Sequence, residues 1–108
     1  MDSNEIKETI IIDFYVEGCP PDANSVTLKA GTDYVLISEL GNHCDIVTYS
    51  WSVFDGKPNQ TGKKAFVNYD NHGIHNVMLT VTSRHPPGLG SCIADGTRTK
   101  QGYVKVVR

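Results

Sequence analysis

Apolar and polar residues alternate along much of this chain with a period of two, most clearly between Ile46 and Ser83. Tyr49, Trp51 and Val53 fall on one side of that alternation, and Thr48, Ser50 and Ser52 on the other. After Gly73 the pattern resumes, with Val77, Leu79 and Val81 on one face and Asn76, Thr80 and Thr82 on the opposite one. Met78 is the single apolar residue on that outer face. A period of two is what a half-buried antiparallel strand shows. The dipeptide Asp55-Gly56 stops the first of these strands with a turn that tolerates positive φ. Gly73–Ser83 is the second strand.

The same pattern, weaker, covers the rest of the chain. Thr9–Val16 places Ile10, Ile12, Phe14 and Val16 on one side, and Asp13 and Tyr15 on the other, which predicts a first strand at a sheet edge. Gly18-Cys19-Pro20-Pro21-Asp22 interrupts it, because two prolines remove two backbone donors. Ser25–Lys29 then reads as its continuation, switched to a second sheet. Tyr34–Ser38, Lys64–Tyr69 and Lys100–Val107 supply further strands, the last with Val104 and Val106 inward. Helical periodicity persists nowhere. These elements predict an all-β, two-sheet antiparallel sandwich of about seven to nine strands. Residues 1–8 are charged and are expected to be a flexible N-terminal segment, and 9–108 to be one domain. Trp51, Tyr69, Val77, Leu79 and Val81 are the expected structural core.

Composition removes several classes of function. At 108 residues the chain has the length of one sandwich domain and can bury a core without disulfides. A formal net charge of -2, with no basic run, lacks the footprint of a nucleic-acid binder. The longest aliphatic run, Ile10–Ile12, falls far short of the roughly 18 residues of a membrane span. The N-terminus is polar and acidic, without the apolar region of a signal peptide. Two readings follow. Either the chain belongs to a longer secreted protein, or Met1 is the natural start of a protein made in the cytosol and carried outside by another route, such as a phage particle.

The residues Tyr49-x-Trp51-x-x-x-Asp55-Gly56, followed by Tyr69-x-x-x-Gly73-x-x-x-Val77-x-Leu79-x-Val81, resemble the polycystin-type (PKD) repeat of the immunoglobulin-like β-sandwich class. The resemblance covers about Val26 to Arg108. The family's usual Trp-Asp-Phe-Gly-Asp-Gly reads here Trp51-Ser52-Val53-Phe54-Asp55-Gly56. His75 stands where the family carries an aromatic two residues after the glycine. That departure removes the phenol of the family's tyrosine corner, and an imidazole is the only donor left to replace it there. The resemblance also implies a module for extracellular display, adhesion and spacing, with no single reaction attached.

Candidate chemistry lies in two polar loops, Glu39–Asp45 and Arg84–Arg98. Three cysteines allow one disulfide with a free thiol, three free thiols or an intermolecular bond. The resemblance implies that the loops carrying Cys44 and Cys92 share an end of the sandwich, where the two could bridge. Gly18-Cys19-Pro20-Pro21 and Gly90-Ser91-Cys92 also resemble a pairing found in some relatives, and three unpaired thiols remain open as well. Either bridge would stabilise the fold by about 2–4 kcal/mol. His43, His72, His75 and His85 show no zinc-type spacing with supporting cysteines, so no metal site is expected. No cofactor is expected; the alternative is calcium, held by Asp45, Asp95 and loop carbonyls, although the Asp-x-Asp-x-Asp-Gly pattern is absent. His43, Asp45, His85, Pro87, Leu89 and Asp95 are the expected binding residues. The prolines at 86 and 87 limit the entropy lost on contact. Cys44 beside His43 does not by itself supply a nucleophile, a base and an orienting group, so no catalysis is expected.

The expected function is a non-catalytic, surface-displayed interaction or spacer module, contacting another protein, a structural assembly or a surface glycan through loops and strand edges. One alternative is a phage virion accessory or decoration protein bound to a capsid or tail. The other is an accessory domain of an extracellular hydrolase. Localisation follows the reading: cell surface or extracellular for an exported chain, virion surface otherwise.

Overall fold

The long alternating segment after Gly73 forms the strand on which the larger sheet is built. In the computed structural model, residues 5–7, 10–53, 60–88 and 90–108 are described, with side chains described from residue 10 onward. Nine strands occur among them: β1 (Glu5–Lys7), β2 (Ile11–Val16), β3 (Val26–Lys29), β4 (Asp33–Gly41), β5 (Ile46–Ser52), β6 (Lys64–Asn68), β7 (Gly73–Arg84), β8 (Ser91–Ile93) and β9 (Gly96–Val107). They make two sheets. The larger runs β1-β8-β7-β9-β3, with β5 also paired to β7, and the smaller runs β2-β4-β6.

The alternation of β7 decides which way the larger sheet faces. Val77, Leu79, Val81 and Ser83 are buried, while Thr82 and Arg84 are exposed. One edge of β7 pairs antiparallel with β5, putting Trp51 opposite Leu79. Its other edge pairs with β9 from Gly73↔Val106 to Val81↔Gly96. A register shift between His75 and Val77 marks a bulge there, and the side chain of Asn76 accepts the Gly102 amide at 2.7 Å. That repair keeps a β9 backbone donor satisfied where the ladder is broken.

The smaller sheet closes the core from the other side. Phe14 and Val16 of β2, Leu36 of β4, and Ala65 and Val67 of β6 join Val26, Leu28, Trp51, Val77, Leu79, Val81, Val104 and Val106 in one buried cluster. The two prolines act as the sequence predicts. The segment after β2 turns out of its sheet, and β3 resumes in the other sheet, parallel to β9 with Val26↔Val104. β2 itself is an edge strand.

Phe14 is the point where the sheets grip each other. Its ring meets Trp51 edge-on at 5.5 Å and Tyr103 edge-on at 5.8 Å, the geometry that aromatic quadrupoles favour. Lys100 of β9 sits 4.8 Å from the Phe14 and Tyr103 ring centroids, and its ammonium donates to the Phe14 carbonyl at 2.5 Å and to Asp13 Oδ1 at 2.8 Å. Thus β2 and β9, in different sheets, are joined by a cation held between two rings and a carboxylate. Trp51 adds a further tie, with its indole N–H donating to the Gly62 carbonyl at 2.8 Å. Gly62 has a φ of 114°, which favours glycine at that place.

Several expected boundaries are corrected. Glu5–Lys7, expected within a flexible segment, pairs in parallel with Ser91–Ile93, where the outer edge of β8 offers open backbone groups. Arg84–Arg98 is not one long loop: Ser91–Ile93 is a strand and β9 already begins at Gly96. Thr97, Arg98 and Thr99 look like loop residues because they are polar. They extend because β7 needs a partner along its whole length, and pairing satisfies backbone groups whatever the side chains are. β4 likewise runs on to Gly41, shortening the Glu39–Asp45 loop. The Asp55-Gly56 turn and Leu89 lie outside the described residues.

The Phe14 junction makes a direct stability prediction. Phe14→Ala should lower unfolding free energy by about 3–5 kcal/mol, whereas Phe66→Ala, at an exposed position of β6, should change it by no more than about 0.5 kcal/mol. Urea denaturation followed by Trp51 fluorescence measures both, and equal effects would contradict the placement of the core.

Candidate functional site: the disulfide-bonded loop end

At one end of the molecule the chain folds back three times within a few residues of Ser83. β4 ends at Gly41, and Asn42 takes a positive φ of 59°, so the chain turns sharply toward Cys44. β7 ends at Arg84, and β8 brings Cys92 back beside it. Cys44 and Cys92 form a disulfide with a Cα–Cα distance of 6.1 Å, while Cys19 is free and half-buried. Cys44, Cys92 and Ala94 make a small buried cluster of their own, against which Ile10 packs. The Cys19–Cys92 pairing suggested by the resemblance is therefore not the one formed. Cys19 follows the far end of β2 and packs on the main core. The bridge closes a loop of 48 residues, so chain entropy alone assigns it about 4 kcal/mol.

Ser83 organises this end. It occupies an inward position of β7, yet it is polar and buried. Its hydroxyl accepts the Cys44 amide at 2.6 Å, its amide donates to Asp95 Oδ1 at 3.1 Å, and its carbonyl accepts both the Ala94 amide and the Arg84 guanidinium. One residue thus positions both cysteine-bearing segments. Arg84 also grips Asp95 with both terminal nitrogens, Nη1 to Oδ1 at 2.5 Å and Nη2 to Oδ2 at 3.2 Å.

The structure brings most of the sequence-predicted binding residues to this one end. His43 is exposed, with Nδ1 2.6 Å from the Cys44 carbonyl. His85 lies against the disulfide, and its Nδ1 is buried without a hydrogen-bond partner. The Asp45 carboxylate stands 3.5 Å from that nitrogen, within ion-pair range but outside hydrogen-bond geometry. Pro87 is exposed in the turn after His85. Asp95 does not join Asp45 in an oxygen cage, because its oxygens are held by Arg84 and Ser83. His72 and His75 sit at the other end. His72 Nδ1 accepts from Arg108 Nε at 3.3 Å, and His75 lies on the Tyr69 ring at 4.7 Å with Nε2 3.4 Å from the Asn71 carbonyl.

Beside the disulfide end an open cleft of about 560 Å³ runs between β4 and β5, lined by residues that include Glu39, Leu40, His43, Tyr49 and Lys63. It exists because β6 pairs only with Asp33–Ile37 of β4, leaving the second half of β4 uncovered on that side. The backbone and hydroxyl of Ser38 close the junction, both donating to the Lys63 carbonyl. Sequence reasoning placed Tyr49 on the inward face of β5 and did not single out Lys63. No local pattern marks either residue as cleft-lining, since the cleft depends on where β6 ends.

No family model matches the chain, and no curated protein matches it significantly.

Two carboxylates couple this architecture to pH. The Arg84 guanidinium and the Ser83 amide hold the Asp95 carboxyl below the usual carboxylate range. Burial pulls Asp13 upward, but Lys100, the Phe14 amide and Arg98 together outweigh it and hold that group low as well. A carboxylate with a depressed folded-state pKa stabilises the fold above the unfolded value, near 4. That stabilisation is lost as pH falls through the folded value. Stability should therefore decline below about pH 4. Asp95→Asn should lower stability at pH 7 and flatten the acid-side slope in urea-denaturation series, and a slope identical to that of the wild type would contradict the pairing.

Proposed function

We propose that the chain is a non-catalytic interaction and spacer module of the polycystin type, displayed outside a cell or on a virion, which makes its contacts at the disulfide-bonded end. The carrying observation is the separation of the two ends. The cysteine-bridged loops, with His43, Asp45, His85 and Pro87, occupy the end where β7 finishes at Arg84. β9 leaves the sheet at the opposite end, where Gly73 pairs near Val106 and Lys29 pairs with Val107. Twelve residues of β7 separate the two, about 40 Å of extended chain. A body that gathers its contact loops at one end, about 40 Å from the other, suits display at a distance.

Several features favour the polycystin-type reading over a generic sandwich. The first strand divides between sheets, as β2 and then β3 parallel to β9. Trp51, on the strand before the long turn, packs between the sheets against Phe14. His75 reaches back to the Asn71 carbonyl where the family would place an aromatic corner residue. The Cys44–Cys92 bridge favours an oxidising, extracytoplasmic setting. Asp95 at this end is held by Arg84 and Ser83 rather than presented as a free base, which favours a binding role over a reaction.

Site-specific photo-cross-linking on intact cells or particles carrying the protein tests this reading. A photoreactive residue at His43 should give several-fold more adduct with another macromolecule than one at Asp70, in the corner before β7. Equal or reversed yields would contradict it.

A further inference from the structure

Beside the disulfide lies an imidazole whose Nδ1 makes no hydrogen bond. Cys44, Cys92 and His85 bring their donor atoms within 4.8 Å of one another, and His85 Nδ1 is buried without a hydrogen-bond partner. A buried imidazole nitrogen without a partner costs stability unless something binds it. The Asp45 carboxylate, 3.5 Å from that nitrogen and exposed, does not belong to the three-residue cluster.

We propose that, in the thiol form of the protein, Cys44, Cys92 and His85 bind a thiophilic divalent cation of the zinc type, with the fourth position open to water. The disulfide and the metal are then alternative clasps for the same two segments. Tetrahedral zinc, with Zn–S near 2.3 Å and Zn–N near 2.0–2.1 Å, sets its donor atoms roughly 3.6–3.8 Å apart. Opening a disulfide from its bonded length of about 2.05 Å to that spacing moves each sulfur by only about 1 Å. Charge favours the cluster too. Two thiolates neutralise the cation, which suits sulfurs as deeply buried as those of Cys44 and Cys92, at 1% and 5% exposure. The Asp45 carboxylate, exposed beside His85, adds a favourable negative potential next to the cation.

The chemistry balances. A dithiol reduces the bridge by two electrons: the Cys44–Cys92 bond breaks, both cysteines become thiols, and the reductant becomes a cyclic disulfide. A tertiary phosphine does the same, becoming the phosphine oxide with oxygen from water. Binding of the cation to both sulfurs then releases two protons. The frame that holds the ligands does not depend on the bridge, because Ser83 hydrogen-bonds the Cys44 amide and the Ala94 amide from a core strand. Such a cation clasp forms whatever the loops contact.

The test uses the full chain carrying Cys19→Ser, so that no third thiol competes, reduced with a tertiary phosphine under anaerobic conditions and titrated with Co²⁺. One equivalent should produce thiolate-to-cobalt charge-transfer and tetrahedral d–d absorption, both abolished by Zn²⁺. His85→Ala should weaken cobalt binding at least about 10–100-fold and alter the d–d bands. Asp45→Ala should weaken it less. The oxidised protein should show neither signal. Near-UV circular dichroism run in parallel covers loss of structure on reduction: recovery of the folded signal on adding Zn²⁺ supports the clasp. No cobalt signal, a signal without a folded spectrum, or one unaffected by His85→Ala would overturn it.

Discussion

The register of β7 is the constraint from which the rest of the molecule follows. Its inward residues are Val77, Leu79, Val81 and Ser83, and both of its edges carry partners. Three of those residues build the core, and the fourth builds the loop end. A slip of one residue would turn every one of them to the other face of the sheet. It would also move Ser83 away from the Cys44 amide and from Asp95. Core and candidate site are therefore not independent features. The strand that fills the interior also places the two cysteines.

The second fixed point is Phe14, which lies in the smaller sheet but is held by the larger one. Trp51 and Tyr103 present their edges to its ring, and Lys100 rests over it while pairing with Asp13. A lysine this sheltered needs its charge answered, and the carboxylate, the Phe14 carbonyl and two aromatic faces do so. The Tyr103 hydroxyl is pushed above its ordinary pKa, chiefly by burial, and its oxygen accepts the Val16 amide at 3.3 Å. The two sheets are thus tied by directional contacts as well as by apolar area. Both ties depend on β2 being an edge strand that leaves its sheet at the prolines.

Much of this architecture was legible because period-two alternation reports burial directly. Trp51, Val77, Leu79 and Val81 stand out in the sequence for that reason, and the two prolines after Cys19 announced the change of sheet. What stayed hidden depended on pairing rather than on side chains. Thr97-Arg98-Thr99 reads as loop but extends β9, and Ser91–Ile93 is too short to show a pattern. The same holds at the loop end. His43 is the histidine next to Cys44 in sequence, yet the one against the disulfide is His85, 41 positions along the chain from Cys44. Only the antiparallel return of β7 brings it there. Lys100 was equally silent, since one lysine in a polar run gives no sign that aromatic rings will enclose it.

The register of the strands places Cys44 beside Cys92 and leaves Cys19 at the far end of β2. Non-reducing peptide mapping, after alkylation of free thiols in the folded protein's buffer, tests it most directly. The structure predicts a cross-linked peptide pair containing Cys44 and Cys92, with the alkyl label on Cys19 alone. A Cys19–Cys92 pair would contradict it, because that bond requires the first strand and the β7–β8 return to meet at an end of the molecule where this fold keeps them apart.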